Sequence, residues 1–387
     1  MKIPVRFLGG DQTCHALRLF SGIGITSAAE SRPAASLFIS RLEPTMTRKT
    51  LLLTALPLAA STFDDNGSYF EHKNWEIACD NTGTCRAAGY QAGEEDQAIS
   101  LLLVRDAGAD AAITGEITVI DPNGDDKNRQ ALSGHLYLDD KNLGNITLSD
   151  DEAGLKGRLS PAQSEAVSKA VVGSDKITFR TDKLTWALSS EGANAVLLKM
   201  DEYQGRVGTP TALIKRGKDK KTIPAPAAKP VIHAAAVPDT PPRVLKAGDG
   251  EYSALRHLLA EKAGDECIDL SESENSITLY PLDSSHILAE TSCWVAAYNS
   301  ANYYAILSAD LKTITASVDI EDGYDYSDGT IEGGGRKRGL GDCLFITRHT
   351  WDGKRFVPTY KAGSGQCKGF PGAAWMLPTR VTTVQKP

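Results

Sequence analysis

The sequence lacks the features that mark several large protein classes. None of its apolar runs reaches 18 residues, so it predicts no membrane-spanning helix. It contains no G-x-S-x-G, H-E-x-x-H or G-x-x-x-x-G-K-[ST] motif, and therefore none of the common hydrolase, zinc-protease or nucleotide-loop signatures. It has no C-x-x-C pair, which argues against a zinc site or a thioredoxin-like redox site. The sequence therefore predicts no catalytic residue, metal site or cofactor, although an acid–base pair can leave no linear pattern.

The N-terminal region contains the parts of a secretory signal peptide. Met46-Thr47-Arg48-Lys49 is short and basic, and it is followed by the apolar stretch "TLLLTALPLAAS" that ends in small residues. We therefore predict a signal peptide at 46–61, cleaved near Ser61. The segment 1–45 is then either translated from a spurious upstream start or a disordered leader. The alternative is that 51–60 is an ordinary buried segment.

The remaining chain is acidic. Without residues 1–61 it has 35 Lys and Arg and 46 Asp and Glu, a net charge of −11. This balance argues against binding of nucleic acid or of anionic membrane surfaces, and it would suit a basic protein partner.

The cysteines support export. Cys14 lies in the leader, and six cysteines remain: Cys79, Cys85, Cys267, Cys293, Cys343 and Cys367. An even number of cysteines in an exported chain predicts disulfides. Fifteen pairings of six cysteines are possible, and the sequence does not choose among them. Pairing of nearest neighbours is the simplest, because it keeps each bridge within one region of the chain.

The stretch "WEIACDNTGTCRAAGY" predicts a hairpin closed by a disulfide. Residues alternate on both sides of the turn-forming "DNTGT", which places Cys79 opposite Cys85. Facing residues of an antiparallel pair have Cβ atoms about 4.5–5.5 Å apart, close to the roughly 3.5–4.5 Å of a disulfide. Trp75 is expected to face the core.

This stretch and three later ones resemble a bacterial exported family known only as a domain of unknown function. The later motifs are "MDEYQGRVGTPTALIKRG" at 200–217, "GLGDCLFITRHTWDGKRF" at 339–356 and "CKGFPGAAWMLPT" at 367–379. The first half is also similar, on fewer residues, to the invasion-associated locus B proteins. The resemblance implies a periplasmic location, but it implies no reaction and no catalytic residue.

The composition divides the chain into two predicted domains. Residues 216–245 mix Lys, Ala and Pro with little apolar periodicity, which is typical of an extended linker. We therefore predict a β-rich N-terminal domain at 65–215 and a β-rich C-terminal domain at 246–387. The expected fold class is mainly β with a few helices. Each domain is expected to be a disulfide-stapled antiparallel sheet or β-sandwich with helices packed on it.

The segment 343–360 predicts a second hairpin. Asp352-Gly353 is a strong signal for a two-residue turn, which would pair Trp351 with Lys354 and His349 with Phe356. Phe345, His349, Trp351, Phe356 and Tyr360 would then share one face. A histidine on such an aromatic face is more often structural than catalytic.

Two neighbouring loops are candidates for ligand binding. The first contains the acidic residues Asp319, Asp322, Asp325 and Asp328, whose carboxylates are suited to a divalent cation. The second contains the basic residues Arg336, Lys337 and Arg338 among glycines, which suits an anion. The alternative is a long hairpin whose opposite charges pair at the surface and contribute little, about 0–1 kcal/mol.

Three hypotheses of function follow. The leading one is a non-catalytic periplasmic protein that binds an envelope protein or a cell-wall component. The second is an inhibitor or partner of a basic cell-wall enzyme. The third is an envelope-polymer hydrolase that uses His349 and the acidic loop.

Overall fold

The computed structural model describes residues 63–93, 97–122, 130–151, 153–173, 176–272 and 274–387. The predicted leader (1–45) and signal peptide, which ends at Ser61, lie outside these residues. The described residues fall within one compact unit, Ala59–Pro387. No helix in the described part of the chain combines the length and apolar composition needed to cross a membrane.

The first half of the chain forms one large sheet, in the order β1-β2-β3-β4-β5-β8-β7-β6-β9-β10. Its strands are β1 (Ser68–His72), β2 (Trp75–Cys79), β3 (Cys85–Tyr90), β4 (Ile99–Arg105), β5 (Ile113–Val119), β6 (Leu132–Leu138), β7 (Lys141–Asp151), β8 (Gly154–Arg158), β9 (Ile177–Arg180) and β10 (Thr185–Leu188). Every pairing in this sheet is antiparallel.

Two helices pack on one face of the large sheet, here called its inner face. Helix α1 (Pro161–Ala170) begins with the capping box of Ser160 and Gln163 and with Pro at its first position. Helix α2 (Ala193–Tyr203) buries Val196, Leu197 and Met200. These side chains join Trp75 and the other inward residues of the strands in the largest hydrophobic core.

The β2–β3 hairpin confirms the prediction for the first two cysteines. Cys79 and Cys85 are direct partners in the ladder and form a disulfide. Asp80 closes the turn, since its backbone N–H donates to the Thr84 carbonyl and its carboxylate accepts from the Thr82 N–H. Trp75 is fully buried, as expected.

The second half contains two five-stranded antiparallel sheets and a parallel strand pair. The strand pair is β11 (Val231–His233) with β22 (Thr383–Gln385), and it places a strand within the predicted linker. The first sheet, here called the helix-backed sheet, contains β12 (Arg243–Leu245), β13 (Ile277–Pro281), β14 (His286–Val295), β15 (Ser300–Ser308) and β16 (Ile314–Ser317). The second, here called the C-terminal sheet, contains β17 (Gly323–Ser327), β18 (Thr330–Arg336), β19 (Leu344–Trp351), β20 (Phe356–Gly363) and β21 (Leu377–Val381).

Each face of the helix-backed sheet has its own core. Helices α3 (Tyr252–Ala263) and α4 (Ile268–Glu272), with a 3₁₀ turn between them, cover one face. The C-terminal sheet covers the other, where Tyr304 and Ile306 meet Ile331, Trp351 and Phe356. The disulfides Cys267–Cys293 and Cys343–Cys367 follow the nearest-neighbour pairing. The fold is therefore mainly β with a few helices, stapled by three disulfides, as the sequence predicts.

The register predicted for the 343–360 hairpin is wrong. Trp351 pairs with Phe356 and His349 with Pro358, so the connection has four residues rather than two. The cause is Asp352, whose carboxylate accepts hydrogen bonds from the N–H groups of the two residues after Gly353 and widens the turn. An irregularity in the β19–β20 pairing then sets Tyr360 opposite Arg348. Tyr360 therefore lies on the face opposite His349.

The outer face of the large sheet is covered by the end of the chain. Phe370, Trp375 and Leu377 pack on outward residues of β2, β3 and β4, and all three are buried. Trp375 Nε1 donates a hydrogen bond of 2.7 Å to Ser100 Oγ on β4. The two predicted domains therefore contact one another, while the predicted boundary itself stays a prediction.

Candidate functional site

The acidic candidate residues are spread along the β17–β18 hairpin and the loop before it. Asp328 is at the hairpin turn and forms an ion pair with Lys386. Asp325 pairs in the ladder with Glu332, and the Asp322 carbonyl accepts a hydrogen bond from the N–H of Gly334. Among the described residues, the only group of three metal-ligating side chains close enough to share an ion is Asp342, Cys343 and Cys367. Those two cysteines form a disulfide, so they offer no thiolate to an ion.

The basic candidate residues belong to a loop that we call the basic loop, residues 336–342. Arg338 donates two hydrogen bonds to Asp342, whose carboxylate also accepts from the Gly369 N–H at 2.7 Å. Burial opposes the ionisation of Asp342, but these hydrogen bonds outweigh burial and lower its pKa. Arg338 therefore anchors the loop. Arg336 and Lys337 are exposed and take part in none of the ion pairs formed by the described residues.

An open cavity of about 630 Å³ borders the basic loop at Arg336, and we call it the groove. Its lining residues are Tyr298, Asn299, Ser300, Tyr324, Gly334, Gly335, Arg336, Leu344, Phe345 and Ile346. The two tyrosines are 55% and 41% exposed, so their rings are accessible to a ligand. No Asp or Glu side chain lines the groove among the residues that the structure describes.

The groove is held in shape by side chains at its edges. Asn299 fixes Arg336, because its amide donates to the Arg336 carbonyl at 2.8 Å and its oxygen accepts from the Arg336 N–H at 2.9 Å. The Tyr324 hydroxyl donates to Glu332, and Arg348 donates to the second oxygen of Glu332 at 2.6 Å. Burial and the bond to Glu332 raise the pKa of Tyr324 to about 12, so this hydroxyl remains a donor.

A smaller cavity of about 240 Å³ borders the basic loop at Lys337. We call it the Lys337 pocket. It is lined by Lys337, Lys361 and Tyr69 together with the apolar side chains of Leu344, Phe345, Ala362 and Leu377. Lys361 forms an ion pair of 2.9 Å with Glu321.

Glu76 lies fully buried behind the Lys337 pocket. Its carboxyl group contacts the hydroxyls of Tyr90 and Tyr69 and accepts from the N–H of Gln366. Gly365 passes so close that a Cβ there would lie 1.8 Å from Glu76 Oε1, and its φ of +77° also favours glycine. Burial raises the pKa of Glu76, although these hydrogen bonds oppose the shift.

The hydrogen count around Tyr69 agrees with a neutral Glu76. The Tyr69 hydroxyl has one hydrogen but lies 2.8 Å from Glu76 Oε2 and 2.9 Å from Glu71 Oε2. If Glu76 is protonated, it donates to the Tyr69 oxygen, and Tyr69 donates to the exposed Glu71. Each group then has a partner.

His349 lies inside the C-terminal half. Its side chain is only 9% exposed, and its Nδ1 has no hydrogen-bond partner among the described residues. Burial lowers the pKa of His349 to about 4, an effect that the nearby Asp319 opposes. The lowered pKa favours the neutral form of this imidazole at neutral pH.

The motif at 200–217 forms a largely buried network of hydrogen bonds and one ion pair. The Asp201 carboxylate accepts from the N–H groups of Leu213 and Ile214 and lies 3.8 Å from Arg105. Arg206 is fully buried and donates to the carbonyl of Gly108. These bonds connect the end of helix α2 and the segment after it to the end of β4 and the loop that follows β4.

Comparison with known proteins agrees with the resemblance seen in the sequence. A family model described as "Protein of unknown function (DUF1176)" matches residues 69–382. The chain belongs to this family. "Uncharacterized protein YpfG" of Escherichia coli (strain K12) is 28% identical over 335 residues, which cover 78% of this chain and 90% of that protein. No solved structure matches the chain significantly.

The DUF1176 match contains the basic loop, the groove and the Lys337 pocket. It begins at Tyr69, which lines the Lys337 pocket, and it ends just after β21. Sequence reasoning identified the basic loop but missed Tyr298, Tyr324, Tyr69 and Glu76. Glu76 offered no local signal, because its partner Gln366 is 290 residues away in the chain.

Proposed function

We propose that this DUF1176 protein is a non-catalytic binding protein of the bacterial envelope, and that the groove binds an acidic glycan such as the cell-wall polymer. The observation that carries the proposal is the lining of the groove. It combines two exposed tyrosine rings with one guanidinium that has no ion-pair partner among the described residues. Tyrosine rings can pack against the apolar faces of sugars, and arginine can hold a carboxylate through two parallel hydrogen bonds.

The lining also favours binding over hydrolysis. Most glycoside hydrolases use a pair of carboxylates that flank the scissile bond. The groove has no carboxylate side chain among its described lining residues, and His349 is buried in the C-terminal half. The groove can therefore hold a polymer but offers no acid–base pair to cut it.

Cosedimentation of the purified protein with isolated peptidoglycan tests this proposal. We expect wild-type protein to bind, and Arg336→Gln to bind about tenfold more weakly because one charge-assisted contact is lost. Tyr324→Ala should also weaken binding, whereas Tyr324→Phe keeps the ring and should retain most of it. Lys337→Gln is the matched control, because Lys337 neighbours Arg336 but does not line the groove. Failure of the wild type to bind, or equal binding by all variants, would refute the proposal.

We further propose that the protein is exported to the periplasm through the signal peptide at 46–61. The three disulfides support this location, since such bonds persist in oxidising compartments. The weaker similarity of the first half to the locus B proteins points the same way. Intact-mass measurement of protein recovered from the periplasm should give a start near Ser61 and a gain of six hydrogens on reduction. An uncleaved chain with free thiols would contradict it.

A further inference from the structure

We propose that the Lys337 pocket is a second binding site, and that it takes a short apolar monocarboxylate. This inference does not rest on the glycan proposal, because the pocket uses Lys337 and the groove uses Arg336, although Leu344 and Phe345 line both cavities. The volume of about 240 Å³ equals roughly eight water volumes at about 30 Å³ each, which suits a small ligand rather than a polymer.

The walls of the pocket are fixed before any ligand binds. The disulfide Cys343–Cys367 ties the residue before β19 to the segment that follows β20. Next to this bridge, Ser364 Oγ accepts from the Leu344 N–H at 2.7 Å, and the Ser364 N–H donates to the Leu344 carbonyl at 2.8 Å. A preformed pocket loses little conformational entropy on binding, so even a small ligand can be held.

Of the two lysines that line the pocket, one is available to bind a negatively charged group of a ligand. Glu321 already neutralises Lys361, and Tyr69 is already engaged by Glu71 and Glu76. Lys337 has no ion-pair partner among the described residues. A complementary ligand therefore carries one negative group for Lys337, and the carboxylates of Glu71 and Glu321 disfavour a second one.

The rest of the lining requires an apolar body. Leu344, Phe345, Ala362 and Leu377 supply the wall, and Ala362 and Leu377 are buried. Apolar surface of the ligand that is removed from water here adds to its affinity, whereas a hydroxylated body would lose hydrogen bonds to water. A carboxylate with a short alkyl or aryl group meets both requirements.

Titration of the purified full chain with hexanoate, followed by amide NMR shifts, tests the inference. We expect the signals of Gly363 and Gly365 to shift, and hexanoate to bind about tenfold more tightly than hexanol, which lacks the charge. Lys337→Gln should abolish this difference, while Arg336→Gln should leave it within about twofold. Thr379 also lines the pocket, so a second variant, Thr379→Phe, fills it without altering Lys337 and should prevent binding of both probes.

Several results would overturn this inference. They are the absence of shifts at these glycines, equal binding of hexanol and hexanoate, and unchanged hexanoate binding in Lys337→Gln. If hexanoate binds but peptidoglycan does not, the pocket stands and the groove proposal fails. If peptidoglycan binds and hexanoate does not, the groove proposal stands and the pocket inference fails.

Discussion

At the scale of single residues, buried ionisable groups are the most informative feature of this protein. Glu76 and His349 both lie in positions where the charged form is disfavoured, and burial is the largest cause for each. For a carboxyl group burial raises the pKa, and for an imidazole it lowers the pKa. The two residues therefore make opposite contributions to the pH dependence of stability.

Glu76→Gln should make the free energy of unfolding less dependent on pH above pH 4.5. The native state of the wild type keeps the Glu76 proton above pH 4.5, the ordinary pKa at which the unfolded chain releases it. The contribution of Glu76 to the free energy of unfolding is therefore complete below pH 4.5. It is lost as the pH rises through the pKa that Glu76 has in the folded protein. We expect the free energy of unfolding of the wild type to fall with rising pH relative to Glu76→Gln. Urea denaturation at several pH values measures this, and parallel profiles would contradict it.

His349→Phe should have the opposite effect. The folded pKa of about 4 lies below the ordinary value of 6.5, so the unfolded state takes up a proton first as the pH falls. The wild type should therefore lose stability between pH 6.5 and 4, by roughly 3 kcal/mol at about 1.4 kcal/mol per pH unit. The variant should not show this loss. The same acid sensitivity in both proteins would show that His349 is not the cause.

At the scale of elements, short sequence motifs predict those parts of the fold that depend on contacts between residues close in sequence. The β2–β3 hairpin and the start of α1 were predictable because a cysteine pair around a turn and a Ser-Pro-x-Gln cap act over a few residues. The register of the 343–360 hairpin was not predictable in this way, because the Asp352 carboxylate accepts hydrogen bonds from N–H groups of the turn and widens it. The basic loop was visible as a charge run. Its two cavities were not, since strands distant in sequence form their walls.

Removal of single disulfides should destabilise the protein in the order of their loop lengths. The bridge Cys79–Cys85 spans 6 positions and Cys267–Cys293 spans 26, so the longer loop restricts the unfolded chain more. In the chain-entropy model the double-alanine variants lose about 2 and about 3.5 kcal/mol, respectively. Denaturation in urea measures both values. The reverse order would show that native packing, rather than loop entropy, sets the effect.

At the scale of the whole molecule, the chain end joins the two halves. Trp375 is buried on the outer face of the large sheet, although it follows the C-terminal sheet strand β20 in sequence. Such contacts between distant segments depend on the completed fold, and sequence patterns contain no direct sign of them. The composition of 216–245 suggested a tether, whereas the structure also shows direct packing between the halves.

Trp375→Ala should therefore destabilise the whole compact unit. Loss of a buried tryptophan costs about 3–5 kcal/mol, to which the lost hydrogen bond to Ser100 contributes. Calorimetry should show one unfolding transition that moves to lower temperature as a whole. Trp375→Phe keeps an aromatic ring and should show a smaller shift. Two transitions, of which only one moves, would instead indicate independently folding domains.

The most direct test of the proposed function is an NMR titration of the full chain with a soluble peptidoglycan fragment. If the groove binds acidic glycan, the amide signals of Ser300, Gly334 and Gly335, which line it, shift in proportion to occupancy. The same titration of Arg336→Gln then requires about tenfold more ligand. No shift in the wild type, or shifts confined to residues away from the groove, would contradict the proposal that this surface binds the cell wall.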